Sequence, residues 1–208
     1  MLLVFSIVTA ATVIIGIFMS WWQIRNSNKQ SLFEKRLQIF LFADGLVNLL
    51  RVTRDLLKER ERIEMENQFD FQMLSNNAEL SGITPVIRNI RDYDQRNAFL
   101  KELELFKARE QTAKFVFKNS TADIVSNFIC SYRELLFSTY QYQILIDNMT
   151  DVAKERSLSK EEAAQVLHEN THRAALNKRI KVLQQNLHVY GSDYAQSRLR
   201  KQINLASI

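Results

Sequence analysis

Apolar residues run unbroken by charge from Met1 to Trp22, and from there on they recur at three- and four-residue spacings rather than alternating. A 22-residue helix spans about 33 Å at 1.5 Å per residue, enough for a hydrocarbon core of about 30 Å, so residues 1–22 read as a transmembrane anchor. Trp21 and Trp22 close the segment as interfacial aromatics, and Arg25, Lys29, Lys35 and Arg36 follow where no Lys or Arg precedes, which orients the N-terminus outside and the remainder in the cytosol. A cleaved signal peptide would carry its basic residues in front.

Residues 23–30, with Asn26, Ser27 and Asn28, read as a juxtamembrane linker, and 31–208 as a cytosolic helical domain. Ser31 and Glu34 have the capping-box spacing that starts a helix. Its apolar positions Ile39, Ala43, Leu46, Leu50 and Leu57 predict a bundle-facing stripe, and the helix is carried to about residue 66. Asn76, Asn77, Ser81, Gly82 and Pro85 then mark a break over residues 67–85, onto which Phe69, Phe71, Met73 and Leu74 are expected to fold as a short helical piece. Phe99, Leu103, Phe106, Ala113 and Phe117 predict the second long helix. The third carries the longest seam, from Val125, Phe128, Tyr132 and Leu135 through Thr139, Tyr142, Ile146 and Met149 to Ala153. A capping box at Ser159 and Glu162 opens the fourth, with Leu176, Ile180, Leu183, Leu187 and Tyr190 on one side and Gly191 at its end, and a short helix follows from about Asp193. The fold class is therefore all-α: an N-terminal transmembrane helix followed by an antiparallel bundle of about four long helices, a coiled-coil stalk being the elongated alternative.

Ser31-Leu32-Phe33-Glu34-Lys35-Arg36-Leu37-Gln38-Ile39-Phe40 resembles the juxtamembrane start of a group of uncharacterised bacterial single-pass membrane proteins, and Leu74-Ser75-Asn76-Asn77 resembles a second element of theirs. The resemblance implies a bacterial cell membrane and brings no activity or catalytic residue.

Composition sharpens this picture in two places. With four glycines and one proline the chain lacks the turn residues of a many-stranded fold, and the single Cys130 excludes an internal disulfide and cysteine-rich metal sites. The net charge of +5 is concentrated at the C-terminal end, where Arg173, Lys178, Arg179, Lys181, Arg198, Arg200 and Lys201 face one acid, Asp193. Arg25, Lys29, Arg198, Arg200 and Lys201 are the expected contacts with an anionic membrane surface, and nucleic acid is not an expected partner.

One motif carries chemistry. His168-Glu169-Asn170-Thr171-His172 matches H-E-x-x-H, in which two histidines one helical turn apart hold Zn²⁺ and the glutamate takes a proton from the metal-bound water. Against a zinc peptidase stand the missing third ligand, with His188 about 24 Å along a continuous helix and Asp193 reachable only by a fold-back, and Arg173 beside the proposed cation. The alternative is a polar, solvated turn of helix. The leading expectation is a membrane-anchored, non-enzymatic bundle acting through an unidentified protein partner as scaffold, adaptor or component of a membrane-associated system, without cofactor; the competing one is the zinc metallopeptidase, with ligands His168 and His172 and base Glu169.

Overall fold

In the computed structural model residues 2–60, 80 and 91–204 are described, and side-chain surroundings for 12–51, 80 and 91–204. Among these residues there are six α-helices: α1 Leu2–Arg60, α2 Tyr93–Val116, α3 Ser120–Arg156, α4 Lys160–Val166, α5 Glu169–Tyr190 and α6 Asp193–Ile203. The break expected over residues 67–85, its short helical piece, the Leu74–Asn77 element and the end of the first helix near residue 66 lie outside the described residues. Leu80 is described there and is fully buried.

The transmembrane anchor is not upheld. Among the described residues no helix is long and apolar enough to cross a membrane. The single-pass topology, its outside-to-cytosol orientation, the cell-membrane placement and the resemblance to single-pass membrane proteins are corrected with it.

Nor do residues 23–30 form a linker, because α1 passes through them without interruption. Asn26, Ser27 and Asn28 each cost a helix only a fraction of a kcal/mol, and the stripe on either side stays in phase: Ile14, Leu32 and Leu50 are eighteen residues, five full turns, apart. Glu34 accepts from Gln30 Nε2 at 3.2 Å along this continuous helix.

α3 is the central element, packed between α2 and α5, and α1 lies chiefly against α2 and α6. Every described position of the expected stripes is buried or half-buried, with Phe99, Phe106, Phe128 and Tyr132 fully enclosed. The aromatic rings interlock across helices: Phe42 meets Phe106 edge-on at 5.0 Å, Phe106 stacks on Tyr132 at 6.0 Å, and Phe128 stacks on Tyr190 at 4.8 Å. Such pairs add roughly 0.5–1.5 kcal/mol each to their area burial, so they fix the register of four helices.

The connections follow from local chemistry. Asp92 caps α2 by accepting from the Asp94 and Gln95 amides. The capping box at Ser159 and Glu162 forms as expected, the serine amide donating to Glu162 at 2.8 Å and the serine hydroxyl accepting at 3.2 Å. The single fourth helix of the sequence reading is instead two, α4 and α5, divided at Leu167 and His168, where His168 adopts a left-handed backbone (φ 53°, ψ 39°).

Candidate functional site

That division decides the H-E-x-x-H segment. His168 is the N-cap of α5, outside its helical backbone, so its ring is not one helical turn from that of His172 and the two do not share the face a zinc site needs. Glu169 is not part of a solvated turn of helix either. It is 3 % exposed, and both of its oxygens are occupied. Arg173 grips it in bidentate fashion, Nε to Oε1 at 2.7 Å and an Nη to Oε2 at 2.9 Å, while the Tyr142 hydroxyl donates to Oε1.

Buried against the Arg173 guanidinium and already accepting three hydrogen bonds, this carboxylate is a poor base toward a metal-bound water. Among the described residues no group of three or more His, Cys, Asp or Glu side chains is placed to hold a metal ion. The zinc metallopeptidase reading, with ligands His168 and His172 and base Glu169, is therefore corrected on backbone geometry and on the company Glu169 keeps. His188, once considered as a third ligand, is exposed on α5. Tyr142 is pushed up to about 12, by burial first and by its bond to the carboxylate second, and the Arg173 guanidinium is raised chiefly by the same carboxylate. The triad is a closed clamp between α3 and α5.

A second constellation lies where α1 leaves the bundle. Arg36, only 4 % exposed, donates through Nε to the Val116 carbonyl at 2.6 Å and through Nη1 to the Gln202 carbonyl at 2.8 Å. Val116 ends α2 and Gln202 lies in the last turn of α6, so the cation sits on the negative ends of two helix dipoles. Burial lowers its proton affinity, and these carbonyls offset part of that cost. The Gln202 side chain completes the knot: it accepts from the Lys118 amide at 2.9 Å and donates to the Lys118 carbonyl and Thr121 Oγ1.

Beyond this knot α1 continues as an arm. From residue 12 to 28 every position is exposed, and nine large hydrophobic side chains between residues 13 and 24 are 53–67 % exposed. Trp21, Ile24, Arg25, Asn28, Lys29 and Leu32 line a shallow trough along one side of it. The expected surface cations fall into two groups at this end of the bundle. Arg25 lies over the Trp21 ring at 5.5 Å, with Lys29 one turn on. Arg198, Arg200 and Lys201 are exposed on α6, where Arg198 bonds Ser120 Oγ at 3.1 Å and lies over Tyr194 at 4.5 Å.

Compared with family models, curated proteins and solved structures, the chain matches none. The site therefore rests on geometry alone. Sequence reasoning missed Arg36 and the burial of Glu169, although both had a signal. Arg36 occupies a stripe position between Leu32 and Ile39, and Glu169 lies seven residues before Leu176 on the stripe of α5. A charged residue in phase with an apolar stripe is where a buried, partnered ion is to be sought.

Proposed function

We propose that the chain is an all-α docking protein whose working element is the arm of α1, and that this arm binds an apolar helical segment of a protein. The observation that carries the reading is the contrast along one helix. Past Leu32 one face of α1, with Ile39, Phe42, Ala43, Leu46, Val47 and Leu50, is packed into the bundle core, and before it nine large hydrophobic side chains stand open to solvent. An apolar surface of that extent marks an interaction site rather than ordinary surface composition. The bundle supplies the rigid mount, because Arg36 and the Phe42–Phe106 contact fix the direction in which the arm leaves.

The test places a photoreactive residue at Trp21 of the full chain and irradiates it in the cell. Adducts that mass spectrometry maps to a helical segment of a protein, and that disappear when Ile14 and Phe18 are changed to serine, are expected. Adducts to lipid alone, or none at all, would overturn the reading.

A further inference from the structure

The helices of the bundle are not held equally. α3 packs along α2 and α5 and buries side chains from Thr121 through Leu145, whereas α6 lies first against α1 and less against α3 and α5. Of the eleven residues of α6 only Ala195 and Leu199 are buried, and Asp193, Tyr194, Ser197, Arg198, Arg200 and Lys201 are exposed. An element with so little buried apolar surface opens at a lower free energy than the core it covers. Its link to α5 is the two residues Gly191 and Ser192, a short joint at which it turns away.

What α6 lacks in apolar burial it makes up at one residue. The Gln202 carbonyl accepts from Arg36 Nη1 at 2.8 Å, and the Gln202 side chain bonds Lys118 and Thr121 at 2.9–3.3 Å. Gln202 therefore ties α1 to the turn between α2 and α3, where α1 leaves the bundle. Release costs little at the cation. Arg36 is 4 % exposed, and a guanidinium freed of that cover regains water in exchange for the carbonyl it loses. Further along α1 the hold does not involve α6: Phe42 sits edge-on to Phe106 of α2 at 5.0 Å.

We propose that α6 is a releasable strap that sets the direction of the α1 arm. Closed, it fixes α1 at two places, Arg36 and the Phe42 contact. Open, α1 stays seated through Phe42 and pivots there. The helix magnifies the movement, because Ile24 lies eighteen residues, about 27 Å, from Phe42, so that a tilt of about 10° carries it roughly 5 Å. As a control on docking the strap rests on the arm being the working element; the movement itself is measured on the chain alone.

Nitroxide labels are placed on the full chain carrying Cys130→Ser, at Ile24→Cys on the arm and Gln111→Cys on α2, both exposed positions. Their separation is read by double electron–electron resonance. Gln202→Ala and Leu199→Ala, which remove the polar and the apolar hold of α6, are each expected to at least double the width of the distance distribution. Amide hydrogen exchange in the same variants is expected to quicken tenfold or more in α6 and to stay unchanged in α3. Exchange of α6 at the pace of α3 in every chain, or quickening of both helices together, would show that α6 has no opening of its own and would overturn the strap. Quickened α6 exchange with an unaltered distance distribution would overturn its control of the arm. A broadened distribution without protein photo-adducts at position 21 sinks the docking reading and leaves the strap standing.

Discussion

Tyr142, Glu169 and Arg173 show how one phenol, one carboxylate and one guanidinium become mutually dependent once water is removed. The Tyr142 hydroxyl is held neutral, its titration raised from about 10 in an unfolded chain to about 12. A raised acid contributes stability that is fully present below pH 10 and is lost as the pH climbs from 10 to 12. Thermal melts over that window are expected to fall steeply for the native chain and less steeply for Tyr142→Phe. At neutral pH the same substitution leaves Glu169 one donor short and is expected to cost about 1–3 kcal/mol by denaturant melts, since its partner is buried and charged. His168 offers the opposite sign. Its left-handed backbone is one that glycine adopts freely, so His168→Gly is expected to stabilise by about 0.5–1 kcal/mol and the β-branched His168→Val to destabilise by more than that. Chelators are expected to leave the melting temperature unchanged, because neither histidine is placed to share a metal with Glu169.

Among the elements, the seams were legible in the sequence wherever apolar side chains recur in phase, because burial of one helical face is what that periodicity encodes. The positions from Phe99 to Phe117 and from Val125 to Tyr142 are buried where spacing placed them. Helix ends were legible where a cap is chemical, as at Ser159 and Glu162, and illegible where continuity decides. Ser31 and Glu34 have the same spacing, yet the helix runs through them, since a capping box competes with the helix only where the preceding residues leave it. The split at His168 carries no glycine or proline to announce it. The candidate site was less legible than the seams, since the H-E-x-x-H match is local whereas the partners of Glu169 lie on two helices. At this scale Arg36 is the element-joining residue. Arg36→Ala is expected to lower stability by about 2–4 kcal/mol, through loss of two charge-assisted hydrogen bonds and of the buried alkyl stem. Arg36→Met, which keeps the stem and removes the charge, is expected to cost less, and comparison of the two by denaturant melts separates packing from hydrogen bonding.

For the whole molecule, the division between a packed and an unpacked part of α1 makes stability and association independent quantities. Changing Ile14, Phe18 and Trp21 together to serine is expected to leave the bundle's stability within about 0.5 kcal/mol per position, because exposed side chains contribute little to it. The Ile14 and Phe18 changes by themselves are expected to remove the protein photo-adducts formed at position 21, so stability and association are read separately.

The bond from Arg36 to Gln202 also has a consequence in time. The two residues are separated by 166 positions. At about 5–20 residues per second, a ribosome takes roughly 8–33 s to deliver the second after the first. Throughout that interval the guanidinium lacks one of its two carbonyl partners, and the C-terminal turn of α6 has nothing to close upon. The arm is already made by then, with its hydrophobic side chains in water beside those of neighbouring nascent chains. The arm is thus exposed before the bundle that mounts it is complete, for a time set by the 166 positions between Arg36 and Gln202.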